Sequence, residues 1–561
     1  MNRSIKWLPW SERSFKKAQD DRRPVLLSIS ATWCHWCHVM DDNTFSNETV
    51  IDTINDQFIP IRIDNDKRPD INRRYNMGGW PSVAFLTPSK KVITGTTYEP
   101  PDTLLKLLNE VSDYFQQNGD TLIQDGVQIK KKESKTGDRI PANVVDVFIE
   151  QAKNDFDKTH GGFGFSPKFP FIDALGLLLE VGYQKKDDEL TNIVVTTLKK
   201  MASGDIFDKI SGGFFRYATK KDWSIPHYEK MLEDNSKLLS LFIKTYQIKE
   251  EPLLLTTAIH IFDYLNSVLR GDKGFFGSQD ADEKFYISDA SSRAEMEAPR
   301  IDKTVFMDWN ALAISSFLLF SAVAKSKEAS ALALETLDNI SNAAFSNKFG
   351  FMHYIDKAEP SITGLLEDNA LMIEAHIDAY EETGNEDYIE SASSIASLMI
   401  ENLWDKESMI FIDNTENDIE AGSKVLPSIV DNSISALALI RLGRLLEDDE
   451  LISYALSALE YFQEDYGDYG LIAASYGISV NSLQKQPIDI SFVGDIYEIG
   501  ALLKEIRLKY LPGLIIRRGR LAEERIGSEE SGVYICVNKK CFPPAKTIDQ
   551  LLKTLDEVKT Q

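Results

Sequence analysis

The sequence predicts a multi-domain protein in which an α/β domain is followed by an all-α (α/α)6 toroid and a short α/β C-terminal segment. Near the N-terminus, a buried apolar strand runs directly into a Cys-x-x-Cys pair and a helix. Further on, one pattern of an amphipathic helix, an aromatic turn and a more apolar helix occurs six times. We place the α/β domain at 1–125, a polar linker at 126–140, the toroid at 141–510 and the C-terminal segment at 511–561.

Composition excludes several classes of partner. The 561 residues carry a formal net charge of −25, which argues against binding to nucleic acid or anionic membranes, because both require a basic surface. No apolar run reaches the roughly 20 residues of a membrane span, and no apolar signal core follows the N-terminus. We therefore expect a cytoplasmic protein. Its four cysteines form two close pairs, which indicates redox or metal chemistry and not a disulfide-stapled scaffold.

The first pair, Cys34 and Cys37, is the predicted catalytic dithiol. Residues 24–31 (PVLLSISA) have the pattern of a buried strand, and a helical stretch follows the pair. Cys34 should then lie at a helix N-terminus, where free N–H groups and the helix dipole stabilise a thiolate. Cys37 lies one turn further on, in position to resolve a mixed disulfide at Cys34.

The surroundings of this pair resemble thioredoxin. Gly78-Gly79-Trp80-Pro81 precedes a predicted strand at 82–86, and the resemblance implies that Pro81 is a cis-proline packed beside the dithiol. His35 lies between the cysteines as in disulfide isomerases, while Ser28 replaces the buried acid of many thioredoxins. We expect redox-site support from Trp33, His35, Trp80 and Pro81. A metal site using both cysteines, His35 and His38 is the alternative, but ligands crowded into five residues do not readily close a tetrahedral shell. We predict neither a metal nor a cofactor.

The repeats form the second part of the chain. The turns are Gly161-Gly162-Phe163, Gly212-Gly213-Phe214, Gly274-Phe275-Phe276, Gly350-Phe351-Met352, Met409-Ile410-Phe411 and Gly470-Leu471-Ile472. The amphipathic segments before them are 142–156, 188–203, 253–269, 329–345, 387–403 and 449–464. Neither helix of a pair can bury its apolar face alone, so the pairs should stack. Long loops before the apolar helices favour a closed toroid over an open solenoid.

Those loops carry a polar and aromatic set of candidate site residues. An Asp or Asn at a helix start is often only an N-cap worth about 1 kcal/mol. Several acids converging on one mouth with aromatic side chains instead indicate a carbohydrate site, in which paired carboxylates hydrolyse a glycoside or a histidine moves a proton in epimerisation. The candidates are His227, Glu229, Asp234, Asp280, Asp282, Asp308, Glu367 and Asp368, with Trp223 and Trp309 as an aromatic platform.

The combined motifs resemble one family. WCHWCHVM, GGWP, GGFGFSPKFP, PHYEKML, SQDAD, DWNAL and a terminal cysteine pair occur together in the thioredoxin-domain family of the spermatogenesis-associated thioredoxin-like proteins. The resemblance covers nearly the whole chain and implies a thioredoxin-like domain joined to a six-hairpin, glycosidase-like toroid. The terminal pair, Cys536 and Cys541, is then either a second dithiol that exchanges electrons with Cys34 and Cys37 or two packed cysteines. A zinc site shared between the two pairs is a further alternative.

Three functional hypotheses follow. The first is a thiol–disulfide oxidoreductase whose partner is a protein or small-molecule disulfide or dithiol, with the toroid recruiting the substrate. The second is a carbohydrate-active enzyme, a glycoside hydrolase or sugar epimerase, with a regulatory redox domain. The third is a non-catalytic binding scaffold. The first two are compatible with each other, and we rank the three in this order.

Overall fold

The computed structural model describes residues 3–124, 139–356, 361–414, 427–494, 496–528, 530–537 and 540–559. The chain divides into two compact units, one built mainly from Met1–Glu133 and the other from Ser134–Thr415 and Pro427–Gln561. The predicted linker, 126–140, lies outside the described residues except for its last two positions. The predicted fold class is confirmed in both units.

The first unit has a four-stranded sheet in the order β2-β1-β3-β4, in which β1 pairs with β2 in parallel and the other pairs are antiparallel. Successive apolar side chains of a strand point to opposite faces of this sheet, and both faces are covered by helices. Leu26 and its neighbour Leu27, for example, belong to two different core clusters. The elements are α1 Glu12–Asp21, β1 Val25–Ser30, α2 His35–Asn43, α3 Glu48–Gln57, β2 Ile59–Asp64, α4 Pro69–Tyr75, β3 Ser82–Leu86, β4 Val92–Thr96 and α5 Pro101–Gln124.

The second unit contains the toroid, built from helices that alternate between an outer and an inner layer. The outer helices are α6 Val144–Asp155, α8 Asp188–Ser203, α10 Pro252–Tyr264, α14 Lys327–Ala344, α16 Glu386–Leu403 and α18 Asp449–Glu460. The inner helices are α7 Ile172–Lys185, α9 Leu232–Lys249, α13 Met307–Ala324, α15 Leu366–Thr383, α17 Ile429–Leu446 and α19 Ala474–Gln484. Each inner helix packs on the next, and α19 packs back on α7, which closes the ring and excludes the open solenoid.

Short elements connect these helices. Helices α11 Glu283–Tyr286 and α12 Ala290–Glu295 precede the third inner helix, a π-helical turn covers Leu265–Leu269, and a 3₁₀ segment covers Tyr466–Ala473. Two-residue strands flank the turns: β5 Tyr217–Ala218, β6 Pro226–His227, β7 Lys230–Met231, β8 Ser278–Gln279, β9 Ile301–Asp302, β10 Val305–Phe306, β11 Phe345–Ser346, β12 Gly350–Phe351, β13 Tyr354–Ile355, β14 Trp404–Asp405 and β15 Ile410–Phe411.

A repeated asparagine fastens each of four aromatic turns to its inner helix. In α13, Asn310 Oδ1 accepts the Phe275 N–H at 2.7 Å, and its Nδ2 donates to the carbonyls of Phe275 and Phe306 at 3.0 and 2.7 Å. The same clamp recurs with small variations at Asn235, Asn369 and Asn432, all of them buried. Because a buried backbone group without a partner is costly, the asparagine of the Asp-Asn pairs is a structural residue.

The C-terminal fold covers one end of the ring. It consists of β16 Ile488–Val493, α20 Ile496–Arg507, β17 Leu514–Arg517, α21 Gly519–Ile526, β18 Gly532–Val537, β19 Lys540–Cys541 and α22 Ile548–Lys559. Its backbone is tied to the C-terminal ends of three inner helices: Gln247 Nε2 donates to the Arg507 carbonyl at 2.8 Å, Glu381 Oε1 accepts the Ile516 N–H at 3.2 Å, and Arg517 Nη2 donates to the Arg444 carbonyl at 2.6 Å.

The predicted boundary at residue 510 falls inside this C-terminal fold. Strand β16 is the central strand of its sheet, in the order β17-β16-β18-β19, so the fold begins at Ile488. Helix α20 is amphipathic, with Ile499, Leu502 and Leu503 buried against the sheet, and its sequence pattern does not distinguish it from another outer helix. For this reason the sequence alone placed it in the toroid.

One helix, Met307–Ala324, is apolar and long enough to cross a membrane by composition. It is the inner helix α13, and 72% of that window is buried within the protein. Its apolar faces are covered by the neighbouring inner helices α9 and α15, which identifies it as a core helix.

Candidate functional site

The dithiol lies where β1 passes into α2. Cys34 is the N-cap residue of α2, and its Sγ accepts the N–H of Cys37 at 3.2 Å. The two residues are joined by a disulfide and are 4% and 3% exposed. A sulfur at a helix N-terminus meets unpaired N–H groups and the positive end of the helix dipole, which favour the thiolate after reduction. The arrangement is therefore suited to thiol–disulfide exchange at Cys34.

Four residues are predicted to support this turn. The Trp80–Pro81 bond is cis, as the resemblance to thioredoxin implied. Trp33 is buried, donates from Nε1 to Asp66 Oδ2 at 2.6 Å, and meets Trp80 edge-to-face with ring centroids 5.7 Å apart. His35 is exposed and its ring lies 5.9 Å from that of the neighbouring tryptophan. Trp33, the residue before Cys34, is thus held by a hydrogen bond and an aromatic contact.

Exposed aromatic surface continues from the dithiol. Trp36, between the cysteines, is 47% exposed, and its ring lies 5.1 Å from that of the partly exposed Tyr98. His38, the fourth member of the alternative metal set, uses Nε2 to bond the Thr32 carbonyl at 2.9 Å. Ser28 Oγ is buried on β1 without a hydrogen-bond partner among the described residues.

A second cluster lines the inside of the toroid, at the N-terminal ends of the inner helices. Lys237 on α9 interacts electrostatically with acids on α7 and α15, which are not its sequence neighbours, so these side chains face a common centre. Glu233 and Lys237 form an ion pair at 2.8 Å and keep 34% and 22% of their side chains exposed. The cluster comprises Asp173, Glu233, Asp234, Lys237, Asp308, Glu367, Asp368 and Asp431.

Most of these acids are not helix caps. The residues before α9, α13 and α15 are Met231, Phe306 and Leu365, and none of them makes a side-chain cap bond. The acids follow in the first turn, where the helix dipole favours negative charge. Asp282 differs, because it is the N-cap of α11 and accepts the Phe285 N–H at 2.9 Å. For Asp282 the capping alternative therefore accounts for the residue.

Burial perturbs the protonation of this cluster. It raises the pKa of Asp308 to about 7, with the neighbouring Asp368 acting in the same direction. It likewise raises the pKa of Asp234 to about 7, assisted by the adjacent Glu233 carboxylate. Burial alone also raises the pKa of Glu233, but the ion pair with Lys237 outweighs it and leaves that pKa below its ordinary value. The lumen therefore holds neutral and charged carboxyl groups side by side near pH 7, the combination that acid–base chemistry uses.

His353 connects two of these acids. Its Nδ1 lies 3.0 Å from both carboxylate oxygens of Asp368, and Asp368 Oδ1 accepts the Asp308 N–H at 3.2 Å. One ligand-type atom from each of the three residues lies within 4.8 Å of the others. Among the described residues this is the group whose donors could hold a metal ion. The contact between His353 and Asp368 is also a hydrogen bond, so the imidazole and the carboxylate can share a proton.

Sequence reasoning missed His353, although the repeat contains a signal for it. The residue two positions after the clamped phenylalanine is Arg216, Gly277, His353 or Asp413 in successive repeats. In three repeats the carbonyl of this residue accepts the first N–H of the preceding inner helix, at 2.9 Å each for Leu232, Met307 and Leu366. The backbone of this position is therefore held at the N-terminus of an inner helix, while its side chain differs between repeats. Its side chain can thus take a functional role without loss of the backbone contact.

Other predicted residues lie elsewhere. Trp223 is fully buried with its Nε1 donating to the His160 carbonyl at 2.9 Å, so it does not offer a platform to a sugar. Trp309 is 8% exposed and packs on Phe306 with ring centroids 4.5 Å apart, so its ring is also largely covered. Both tryptophans are structural because their rings face protein and not the opening of the ring.

The strand pair β5–β6 holds two further candidates. The His227 ring stacks on Tyr217 with centroids 4.4 Å apart, and Tyr217 in turn stacks on Phe169 at 4.6 Å. Glu229 is 3% exposed, its Oε1 lies 3.7 Å from His227 Nδ1, and its Oε2 has no hydrogen-bond partner among the described residues. Asp280, at the end of β8, accepts its neighbour's N–H at 2.9 Å. The aromatic stack, not the tryptophans, is the accessible aromatic surface of this loop.

Comparison with known proteins matches this two-part architecture. Residues 1–133 match the family model Thioredox_DsbH, described as a protein of unknown function, DUF255. An uncharacterized protein of Caenorhabditis elegans is 24% identical over 98% of this chain and 94% of its own length. Mouse spermatogenesis-associated protein 20 is 32% identical over 306 residues, which span 50% of this chain and 39% of the mouse protein. The chain is thus similar to these proteins, and the family model matches its first 133 residues.

Solved structures similar to the two units are also known. Cellobiose 2-epimerase from Spirochaeta thermophila is 14% identical, with a TM-score of 0.49, over 65% of this chain and 95% of the epimerase. A thioredoxin from Thermus thermophilus is 24% identical over 19% of this chain and 87% of that protein, with a TM-score of 0.18.

Proposed function

We propose that the chain is a thiol–disulfide oxidoreductase in which Cys34 is the nucleophile and Cys37 the resolving cysteine. The observation that carries this proposal is the position of Cys34 as the N-cap of α2, with its Sγ accepting the Cys37 N–H at 3.2 Å. A reduced Cys34 in this position is favoured as the thiolate, which is the reactive form. The partner is a protein or small-molecule disulfide or dithiol.

The exchange proceeds in two steps. The Cys34 thiolate attacks one sulfur of a substrate disulfide, the substrate S–S bond breaks, and the second substrate sulfur leaves as a thiolate that takes up a proton. Cys37, deprotonated, then attacks Cys34 Sγ, forms the Cys34–Cys37 disulfide and releases the remaining substrate thiol. The substrate gains two electrons and two protons, and the chain loses them. The reverse sequence oxidises a substrate dithiol.

Single and double serine variants test this proposal. Cys37→Ser should accumulate a mixed disulfide between Cys34 and its substrate, because the resolving step is lost, whereas Cys34→Ser should not. Turnover of glutathione disulfide or a protein disulfide should be lost in both variants. Redox titration of the pair, followed by alkylation, should give a potential between roughly −270 and −180 mV. A well-folded chain without dithiol turnover would refute the proposal. Full function of the Cys34→Ser/Cys37→Ser variant in cells would favour a binding scaffold.

The toroid supports a second candidate function, proton transfer on a carbohydrate. The supporting observation is His353 between Asp308 and Asp368 inside the ring, with all three residues buried. Ligand-type atoms of the two carboxylates lie within 4.8 Å of each other. That is closer than the carboxyl separation of roughly 5–5.5 Å in retaining glycosidases or roughly 6.5–9.5 Å in inverting ones. A histidine hydrogen-bonded to a carboxylate is instead suited to taking and returning a proton, as epimerisation requires.

Solvent isotope exchange separates the two carbohydrate reactions. Incubation of a panel of reducing disaccharides with the protein in D₂O should introduce deuterium at a sugar carbon for an epimerase, whereas a hydrolase would release new reducing ends. His353→Asn should abolish exchange, while His160→Asn, on a first-repeat turn away from the cluster, is the matched control. Absence of both activities across the panel would refute this candidate.

We also propose a cytoplasmic location for the protein. Support comes from its four cysteines in 561 residues, a usage typical of proteins in reducing compartments. Fractionation of the source cells, with immunodetection of the chain, tests this location.

A further inference from the structure

The C-terminal fold repeats the topology of the first unit. Its sheet order, β17-β16-β18-β19, matches β2-β1-β3-β4, with the first two strands of each fold parallel and the remaining pairs antiparallel. Helices follow in the same places: α20 between the parallel strands, α21 before the third strand and α22 after the fourth. The chain therefore ends in a second fold of thioredoxin type.

This second fold has no cysteines at the usual position. The turn after its first strand begins with Gly494, where the first unit proceeds from β1 to Cys34, and Ser531 precedes β18 where Pro81 precedes β3. Its two cysteines are on the hairpin β18–β19, where Cys536 and Cys541 are directly opposite and joined by a disulfide. In register, Cys536 is opposite Asp489, near the start of the first strand. The pair thus lies at the other end of the sheet, about four residues or roughly 13 Å along the strand.

The two sulfurs are unequally accessible. Cys541 is exposed on the edge strand β19, beside the exposed Lys540. Cys536 is completely buried, in a cluster with Val493, Ala522 and Tyr534 beneath α21. Exposed disulfides are the ones that reductants reach, and a neighbouring lysine favours the thiolate of an attacking or released sulfur. A reductant can therefore approach this pair through Cys541.

A purely structural role explains the pair less well. The cysteines are only five residues apart, so the bond closes a short loop and restrains the unfolded chain less than a long-range disulfide would. The hairpin is already held by backbone hydrogen bonds such as Phe542 N–H to the Ile535 carbonyl at 2.9 Å. The sheet itself is anchored to the toroid by Arg517, independently of the disulfide.

We propose that Cys536–Cys541 is a second redox site, reduced by a thiol reductant that attacks Cys541. The reductant's thiolate bonds to Cys541 Sγ, the Cys536–Cys541 bond breaks, and Cys536 leaves as a thiolate that takes up a proton. A second reductant thiol, deprotonated, attacks the reductant sulfur of the mixed disulfide and releases Cys541. The pair gains two electrons and two protons, and the reductant becomes a disulfide. This site is independent of whether Cys34 and Cys37 turn over.

Peptide mapping of the full wild-type chain tests the proposal without any substitution. The folded protein is exposed to glutathione buffers in one arm and to thioredoxin with its reductase in the other, alkylated, digested and analysed by mass spectrometry. We expect the Cys536 and Cys541 peptides to become alkylated together and to re-form the disulfide on reoxidation. Reduction in the first arm identifies a small thiol as the electron source, and reduction in the second a protein dithiol. A pair that is reduced only after denaturation would overturn the proposal.

Two variants that each retain one cysteine test which sulfur is attacked. With both Cys34 and Cys37 replaced by serine, Cys536→Ser leaves Cys541 as the remaining thiol, and Cys541→Ser leaves Cys536. Oxidised glutathione should form a mixed disulfide with Cys541 at least about tenfold faster than with Cys536, because the latter is buried. Circular dichroism and a thermal melt establish that each variant is folded. Equal rates in folded variants, or faster reaction of Cys536, would overturn the assignment. Peptide mapping separates both results from any failure of the Cys34–Cys37 proposal.

Discussion

Asp308→Asn should stabilise the toroid at high pH. Asp308 is 7% exposed, and burial raises its pKa from an ordinary 3.8 to about 7. The folded state therefore binds more protons than the unfolded state between these values, so this group lowers the stability as the pH rises through that window. Asparagine has the same shape and retains an oxygen that can accept the Trp309 N–H, which Asp308 Oδ1 accepts at 2.8 Å. The substitution removes the charge and retains that hydrogen bond.

The two pKa values set the size of the effect. Below pH 3.8 Asp308 is protonated in both the folded and the unfolded state, so it does not change the stability there. With a pKa of 3.8 in the unfolded state and about 7 in the folded state, ionisation of Asp308 lowers the free energy of unfolding by about 2 kcal/mol at pH 5 and about 4 kcal/mol at pH 8. The advantage of Asp308→Asn should therefore grow by roughly 2–3 kcal/mol between pH 5 and pH 8.

Urea unfolding at several pH values between 5 and 8 measures this change. Asp272→Asn, which removes the same charge from an exposed loop of the toroid, is the matched control and should show no comparable trend. The m-values must agree between wild type and variant, because a change in slope would report altered unfolding and not altered stability. A stability difference that is constant with pH, or that shrinks as pH rises, would refute the argument that burial holds Asp308 protonated.

Three further substitutions probe other contacts. Asn310→Ala removes three hydrogen bonds from a buried turn and should lower the free energy of unfolding in urea by about 2–4 kcal/mol. The control Asn339→Ala, at an exposed position, should leave that free energy unchanged. Equal effects of the two substitutions would show that Asn310 does not stabilise the turn. Asp66→Ala removes the 2.6 Å hydrogen bond from Trp33 Nε1 and should lower the free energy of unfolding, measured by a thermal melt, by about 1–3 kcal/mol. Asp66→Asn should lower it less, because its oxygen can still accept that hydrogen bond. A larger loss of stability for Asp66→Asn would contradict this explanation. Arg441→Met leaves Glu374, Asp378 and Glu381 without their shared cation and should cost about 3–5 kcal/mol at pH 8. That cost should decrease in acid, because burial raises the pKa values of Glu374 and Glu381 and these two groups then protonate. A cost independent of pH would exclude the ion cluster as its cause.

The first unit was predictable because its signals are local. A buried strand, a helix start and two cysteines three residues apart define where Cys34 lies, and the structure places it as the N-cap of α2. The contact from Trp33 to Asp66 was not predicted, because it joins residues 33 positions apart. Sequence patterns report neighbours along the chain, whereas such pairs depend on how the elements pack.

The toroid was predictable from its repeat, but its chemistry was only partly so. Periodic helices and recurring aromatic turns required a stacked arrangement, and the acids of the Asp-Asn pairs do face the lumen. Trp223 was predicted at the mouth because it lies in a polar loop, yet its side chain is fully buried. His353 was missed because it is on a two-residue strand connection with no helical pattern around it. Its importance is evident only when the turns are aligned repeat by repeat.

The two ends of the inner helices differ in how their buried charges are balanced. At the C-terminal ends, Arg441 and Arg517 compensate buried acids and carbonyls where the C-terminal fold covers the ring. At the N-terminal ends, Asp308 is buried and Asp234 is partly buried, each close to another acid, and burial raises the pKa of each to about 7. A fold selected only for stability would pair or remove such groups, so acids whose pKa values are raised beside other acids are candidates for a functional role. From that asymmetry we expect any catalytic site of the toroid to lie at the N-terminal ends of its inner helices.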